Sequence, residues 1–248
     1  MITTELDGWV IEHHSHLEST NITARAKAPW TVVVAGQQTA GRGRFHRAWE
    51  SPVGGLWMSA VLPASENTSL ATFPLAAGWV LVEMLREMGV SEARLRWPND
   101  ILVGGEKLAG LLLELQPGEK LILGLGMNVA NSLAFEQTPA TPAVRLRDLL
   151  PATSHLAEPA DLLPLILDRL RGLHARFFLE GFAPFCNRIN SQIIAPQPVV
   201  IELLDGREMS GLYSGIDESG NPVLRLAEGG CLVVRAGDIL RFKESGVG

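Results

Sequence analysis

The chain has 248 residues, of which 46% are hydrophobic, and its formal net charge is −6. This length suffices for a hydrophobic core without disulfide bonds, and the acidic balance argues against a general nucleic-acid binder, which typically carries a basic face. The first residues lack the apolar run of a secretory signal, and no stretch approaches the roughly 20 apolar residues of a membrane span. We therefore predict a cytoplasmic protein without a DNA or membrane partner.

The first predicted elements are short strands, one helix and a loop. In chain order they are a strand at 9–11, a helix that Ser19-Thr20-Asn21 begins and Pro29 ends, a β-branched strand at 31–35, a loop at 36–49 and a strand at 56–62. The loop is rich in glycine and arginine, which sets it apart from its neighbours.

The middle of the chain holds the clearest patterns. Apolar residues recur at helical spacing from 73 to 88, and Gly89 follows where a helix usually ends. The elements predicted after it are strands at 93–97, 101–103, 108–115 and 120–129, a hairpin turn at Gly104-Gly105, and a second amphipathic helix at 161–180 that Gly181 ends.

The pattern of the sequence changes after Ile194, where the segment Ala195-Pro196-Gln197-Pro198 indicates a linker. Beyond it come about five short strands separated by turn residues. We therefore predict an α+β protein: a mixed β-sheet packed with helices at 1–194, followed by a small β-barrel-like module at 198–243. Cys186 and Cys231 stand outside any metal-ligand spacing and are predicted to be reduced, mostly buried thiols.

Four clusters could carry chemistry. The first is the loop segment QQTAGRGRFHRAW, in which Gly41 and Gly43 alternate with Arg42 and Arg44. Glycine lets backbone N–H groups approach a ligand, and arginine binds carboxylate or phosphate, so the segment fits a loop that wraps an anion. Its spacing matches neither a Walker A loop nor GxGxxG. A solvated basic loop is the alternative, and Trp49 taken alone favours a core position.

Each of the other three clusters, taken alone, is a weaker indication of a functional site. Pro98-Asn99-Asp100 followed by Lys107 could aim a cation into a cleft, or be an ordinary surface turn. Gly124 and Gly126 before Asn128 indicate close approach of backbone or ligand. Ser19-Thr20-Asn21 could bind a small polar ligand or only cap a helix. The residues His13, His14 and His16 lack partners at metal-ligand spacing and favour a surface stretch.

Together, in this order and spacing, the clusters resemble the biotin protein ligase family. The matching segments are LESTN, QQTAGRGR, SPVGGLWMS, RWPNDI, KLAGLLLEL and LGLGMNVAN, which span roughly residues 9–131. The resemblance implies a synthetase-like catalytic domain with a C-terminal SH3-like module. It implies the short form of the family, without an N-terminal DNA-binding domain. The chain departs from the family at Phe45-His46, where Arg-Gly is common, and at Arg96, where lysine is common.

The resemblance also implies roles for individual residues. Ser19, Thr20, Asn21 and Gln38 match biotin-binding positions. Gly41, Arg42, Gly43 and Arg44 match the loop that closes over biotin and the acyl-adenylate, and Lys107 matches the lysine at the carboxylate and α-phosphate. Trp49, Asn99, Asp100 and Asn128 match positions near adenine, phosphates and Mg²⁺, and Asp100 is also a candidate to accept a proton in the second step. The catalytic set is thus Lys107, Arg44 and Arg42.

The implied activity is ATP-dependent. Biotin and MgATP form biotinyl-5′-AMP, and the biotin then passes to a lysine of the biotin carboxyl carrier domain of acetyl-CoA carboxylase or a similar enzyme. A pairing of sheet edges would allow a homodimer. Three other functions stay open on sequence: a lipoate or octanoyl ligase, a non-catalytic biotin- or nucleotide-binding regulator, and an RNA-binding module, which the charge disfavours.

Overall fold

Two β-sheets and the helices packed on them form the fold. The structure, a computed structural model, describes residues 1–248 except 65–69, 118–119, 133–141, 152–153, 194–195, 204, 236–237 and 243–248. The strands of the first sheet are β1 Ile2–Leu6, β2 Trp9–Leu17, β3 Thr31–Gln38, β4 Leu56–Pro63, β5 Arg94–Arg96, β6 Asp100–Val103, β7 Glu106–Gln116 and β8 Lys120–Met127. Residue 195 of the linker expected at 195–198 lies outside the described residues, and Gln197 and Pro198 belong to a strand of the second sheet instead.

The first sheet has the order β1-β2-β3-β4-β8-β7-β6-β5. It is mixed, because β2 and β3 run parallel while the remaining neighbours are antiparallel. The described helices are α1 Thr20–Ala24, α2 Phe73–Glu87, α3 Leu146–Leu149, α4 Pro159–Glu180 and α5 Ala183–Ser191. The predicted α+β class is confirmed.

Helices α2 and α4 cover one side of this sheet. Phe73 of α2 and Phe177 of α4 are fully buried and meet edge to face, with ring centroids 5.0 Å apart. Gly78 lets α2 approach the sheet, since an added Cβ would lie 2.5 Å from Leu95 Cδ1. The apolar spacing that predicted α2 is therefore the spacing of its buried face. No described helix is both long enough and apolar enough to cross a bilayer.

The second sheet is small and antiparallel. Its strands are β9 Gln197–Glu202, β10 Glu208–Ile216, β11 Pro222–Arg225, β12 Cys231–Val233 and β13 Asp238–Phe242, in the order β12-β11-β10-β9-β13. The prediction of about five short strands, and of a module consistent with an SH3-like fold, is confirmed.

Three expectations are wrong in detail. Helix α1 ends at Ala24 instead of running to Pro29, because the carbonyls of Arg25 and Lys27 accept from Lys120 Nζ. Strand β2 continues to Leu17 because its pairing with β3 extends to Leu17, opposite Gln38. Cys231 is exposed, since β12 is a sheet edge, whereas Cys186 is buried.

Candidate active site

The clusters singled out in the sequence meet at one cleft of about 1280 Å³. Its walls come from α1, the loop after β3, strands β6 to β8, helix α5 and the second sheet. The expected site residues that line it are Ser19, Thr20, Asn21, Gln38, Arg42, Gly43, Arg44, Trp49, Asn99, Asp100 and Lys107. Gly41 and Asn128 lie behind this lining.

A network of polar side chains forms one end of the cleft, at the start of α1. The backbone N–H of Thr20 donates to Gln38 Oε1 at 2.8 Å, and its hydroxyl does so at 3.1 Å. Gln38 Nε2 donates to Ser51 Oγ at 2.8 Å. Ser19, Thr20 and Asn21 are all buried. Ser19 makes no side-chain capping hydrogen bond to α1, so plain helix capping does not explain this segment.

The glycine- and arginine-rich loop is a short hairpin. The N–H of Trp49 donates to Gly41 O at 2.9 Å, and that of Gly43 donates to Arg47 O at 2.8 Å. Gly41 has no room for a side chain, since an added Cβ would lie 2.3 Å from Trp49 O. Phe45 has a φ of 54° and is half exposed, and the Arg44 guanidinium stacks 4.6 Å above its ring. The hairpin thus fixes the orientation of the Arg44 side chain through the Phe45 ring, as well as the path of the backbone.

Trp49 lies on glycines of strands β7 and β8. An added Cβ at Gly126 would be 2.6 Å from Trp49 Nε1, and one at Gly110 would be 3.0 Å from the ring. The indole N–H is buried and has no hydrogen-bond partner among the described residues. The close approach expected at Gly126 is thus made by the indole, which is only half-buried in the cleft wall, and the one expected at Gly124 is made by the Asn21 side chain.

Lys107 projects into the cleft between an aromatic ring and a carboxylate. Its Nζ lies 4.9 Å from the Trp49 ring centroid and 2.8 Å from Asp100 Oδ1. Asn128 is buried beneath it, and its Nδ2 donates to Lys107 O at 3.3 Å. Asn99 bonds to β7, donating from Nδ2 to Leu111 O at 2.5 Å. In this structure, Asn99 and Asn128 therefore hold the strand that carries Lys107.

The second sheet and α5 complete the cleft. Asn190 of α5 clamps Ile216 of β10 with two hydrogen bonds of 2.9 Å, donating to its carbonyl and accepting from its N–H. Trp97 Nε1 donates to Gly220 O at 2.8 Å. The Arg47 guanidinium of the hairpin lies 3.5 Å from Glu202 of β9. Tyr213 and Gln197 of this sheet also line the cleft.

The described residues hold no group of three His, Cys, Asp or Glu side chains that could bind a metal. The carboxylates that line the cleft are Asp100, Glu106, Glu202 and Glu208, and Asp100 lies at the Lys107 ammonium. Mg²⁺ in nucleotide sites is usually bound by one or two carboxylates together with substrate phosphates, so Asp100 fits an ion that a nucleotide carries. The histidines at 13, 14 and 16 lie on β2, outside the cleft.

Sequence reasoning missed Ser51, Ser59 and Glu114, which bond directly to Gln38, Thr20 or Asn21. Ser59 carries a signal, because it is a polar residue in the middle of an apolar strand. Glu114 carries none, since a glutamate near the end of a strand usually faces solvent.

Comparison with known proteins gives consistent matches. Residues 10–128 match the model of the Biotin/lipoate A/B protein ligase family. The Biotin--[acetyl-CoA-carboxylase] ligase of Paracoccus denitrificans is 32% identical over 84% of this chain and 91% of its own length. The Bifunctional ligase/repressor BirA of Bacillus subtilis is 30% identical over 92% of this chain and 73% of its own length.

The fold matches as well. A biotin protein ligase from Aquifex aeolicus, solved in complex with biotin and ATP, superposes with a TM-score of 0.80 at 28% identity, covering 94% of this chain and 98% of that one. The match includes the second sheet, because it extends over nearly the whole chain. The chain belongs to the biotin/lipoate A/B protein ligase family.

Proposed function

We propose that this protein is an ATP-dependent biotin protein ligase. It forms biotinyl-5′-AMP from biotin and ATP with release of pyrophosphate, and then passes the biotin to a lysine of a carboxylase's biotin carrier domain. The observation that carries the proposal is the convergence of a buried polar subsite at α1 with Trp49, Lys107 and the arginine hairpin in one cleft. The family relatives named as biotin ligases support it, as does the fold match to the biotin- and ATP-bound enzyme.

The first step joins two anions, so the protein must position them and offset their repulsion. The biotin carboxylate attacks the α-phosphorus of ATP, and pyrophosphate leaves. In our proposal Lys107, Arg42 and Arg44 supply the positive charge at this point, and Trp49 packs by the adenine. Mg²⁺ bound to ATP would neutralise part of the phosphate charge, with Asp100 as its protein-side carboxylate.

In the second step, the neutral amine of the acceptor lysine attacks the acyl carbon and AMP leaves. Biotinyl-5′-AMP is a mixed anhydride that water hydrolyses, so it must be shielded until the acceptor arrives. The hairpin that carries Arg42 and Arg44 borders the cleft and is the element placed to shield it. Both steps need orientation and charge from the protein but no covalent enzyme intermediate.

The test is pyrophosphate release from purified protein with MgATP and either biotin or lipoate, followed by labelling of a biotin carrier domain. We expect release with biotin and biotinylation of one lysine. Release with lipoate alone would make the protein a lipoate ligase. Biotin binding without release would make it a binding regulator.

Several finer points stay predictions. These are the acetyl-CoA carboxylase carrier as acceptor, the division into 1–194 and 198–243, a homodimer, the lack of DNA binding and the cytoplasmic location. Labelling of candidate carrier domains tests the first. Light scattering and a DNA titration at low salt test the third and fourth.

A further inference from the structure

Ser59 lies in the middle of strand β4, between Met58 and Ala60, and is fully buried. Its Oγ is 2.7 Å from Thr20 Oγ1 and 2.5 Å from Asn21 Oδ1. A hydroxyl in an apolar strand costs free energy unless it is hydrogen-bonded. Here both bonds go to residues of the polar subsite, so Ser59 connects the central sheet to that subsite.

Glu114 of β7 reaches the same subsite from the other side. Its Oε1 accepts from Asn21 Nδ2 at 3.2 Å, and its Oε2 accepts from Arg25 Nε and Nη2 at 3.1 and 2.9 Å. Lys120 Nζ donates to Arg25 O at 2.7 Å and holds that segment in turn. The carboxylate is four-fifths buried, which makes its charge-assisted bonds stronger than those of an exposed ion pair.

These two contacts fix the orientation of the Asn21 amide. An ionised carboxylate only accepts hydrogen bonds, so Glu114 must face the Asn21 NH₂ group. The Asn21 oxygen then faces Ser59 and lies over Gly124, where an added Cβ would be 2.4 Å from it. Gly124 lines the cleft. A flipped amide would bring two oxygens together at Glu114.

Gln38 is oriented by the same logic. A backbone N–H only donates, so the Thr20 N–H identifies the Gln38 atom 2.8 Å away as the oxygen. Its NH₂ group points to Ser51. Gln38 Oε1 thus accepts two hydrogen bonds from Thr20, which use both of its lone pairs. Asn21 Oδ1 accepts one, from Ser59, and keeps a lone pair for a ligand. Such a subsite favours a ligand head that carries N–H donors.

We propose that Ser59 and Glu114 are positioning residues that select a ligand head with ring N–H groups, by holding the Asn21 carboxamide with its oxygen toward the cleft. The inference rests on the proposed function, in which the ligand is biotin and the head is its ureido ring. Neither residue touches the reacting carboxylate, so both act on binding of the head and not on the chemical step.

The test separates KM from kcat in pyrophosphate release. The variants are Ser59→Ala and Glu114→Leu, with Glu114→Gln as the conservative change that keeps an oxygen acceptor. We expect KM for biotin to rise on the order of tenfold, the size of one or two lost hydrogen bonds to a ligand. KM for ATP and kcat at saturating biotin stay unchanged, and Glu114→Gln restores most of the biotin affinity.

Selectivity gives a second readout. The lipoate ring has no N–H, so the ratio of biotin affinity to lipoate affinity, measured by calorimetry, should fall in Ser59→Ala and Glu114→Leu. Matched controls are Ser214→Ala, which removes a strand hydroxyl bonded to Val223 O outside the cleft, and Glu12→Leu, which removes a similarly buried carboxylate paired with Lys27. Neither control should change the ratio.

The outcomes are distinguishable. Absence of pyrophosphate release by the wild type with biotin would refute the proposed function itself. An active wild type together with variants of unchanged biotin KM and unchanged selectivity overturns the inference. A parallel loss of kcat, ATP affinity and melting temperature would make the two residues merely structural, which overturns it too. Ser59→Ala, which removes only a hydroxyl, gives the measurement if Glu114→Leu does not fold.

Discussion

The ammonium of Lys107 lies 2.8 Å from Asp100 Oδ1, and Arg96 contacts the other oxygen of the same carboxylate at 2.6 Å. Asp100 and Arg96 are largely buried, so the pair is held in one arrangement. Lys107 is thereby extended into the cleft, where a substrate carboxylate or phosphate can join or replace Asp100 as its partner. The ammonium group is positioned in advance of the reaction.

Lys107→Ala should slow adenylate formation far more than it weakens biotin binding. Loss of one positive group aimed at developing charge typically costs on the order of 10²- to 10³-fold in rate. Single-turnover pyrophosphate release and calorimetric biotin binding measure the two effects. Lys27→Ala, which removes a lysine paired with Glu12, is the control. Normal adenylation by Lys107→Ala would remove the residue from the mechanism.

Arg44→Gly should let biotinyl-5′-AMP escape, because the hairpin loses both a charge and the stack on Phe45. A charge-assisted contact contributes about 1.5–3 kcal/mol, so leakage should rise by roughly tenfold or more. Labelling of lysines on a bystander protein such as serum albumin reports the escape. Arg207→Gly, at an exposed turn, should behave like wild type. Equal retention of the adenylate by both variants would show that the hairpin does not shield it.

Gly126→Ala should displace Trp49, since the new Cβ would lie 2.6 Å from its indole nitrogen. If Trp49 packs by the adenine, KM for ATP rises roughly tenfold, the scale of one misplaced contact in a pocket. Gly172→Ala is the matched control, because its added Cβ meets nothing within 4 Å. That change should stabilise α4 by about 0.5–1 kcal/mol. An unchanged ATP KM in Gly126→Ala would place the adenine elsewhere.

Asn190→Ala should loosen the second sheet from α5. The variant loses both hydrogen bonds to Ile216, so the Ile216 N–H loses its Asn190 partner and the Ile216 carbonyl keeps only the weak bond from Cys186 Sγ. The expected loss is about 2–4 kcal/mol in the free energy of unfolding, read from urea titration. Ser191→Ala, which removes an exposed hydroxyl bonded to Arg188 O, serves as the comparison. Equal midpoints for the two variants would contradict the clamp.

His174 should make stability depend on pH. Burial lowers the pKa of its imidazole, and the nearby charge of Arg171 lowers the pKa further, while the bond to Pro63 O acts in the opposite direction. In the unfolded chain the group titrates near about 6.5. Between the two values the unfolded chain binds more protons, so stability is fully present above about pH 6.5 and falls as the pH drops toward the folded pKa.

Urea midpoints at about pH 8 and about pH 5 measure this effect, and His174→Gln should reduce the difference between them. The glutamine keeps a donor for Pro63 O without a titrating proton. His16→Gln, on the exposed part of β2, should leave the difference as it is. If both variants keep the wild-type difference, His174 is not its source.

Local sequence patterns predicted those elements in which apolar residues recur with a regular period or glycines mark a turn. Helix α2 and the hairpin of β6 and β7 are such cases, because their apolar period and glycine turn match the structure. Strand β1 was missed because four of its five residues are exposed and leave no period. Helix α5 was missed because only three of its nine residues are buried, against α2 and β10. Contacts with other elements of the fold, and not local helix or strand propensity, therefore determine β1 and α5.

The candidate site, too, was predicted in part from local motifs and depends in part on tertiary contacts. The four motif clusters were expected to act together, and they do converge on one cleft. The order of residues does not show how deep each residue lies in the fold. Gly41 and Asn128 lie behind the cleft lining, whereas Ser59 of β4 and Glu114 of β7, to which no role was assigned, bond to the subsite. Those relations depend on the β4–β8–β7 neighbourhood, which brings together residues far apart in the chain.

The cleft takes its floor from residues before 130 and one wall from Gln197, Glu202 and Tyr213. During synthesis, the motif strands are therefore translated before that wall. A chain stopped by a premature codon before β9 would carry every motif of the family and still have an open-sided cleft. The last strands decide when a newly made molecule has a complete site.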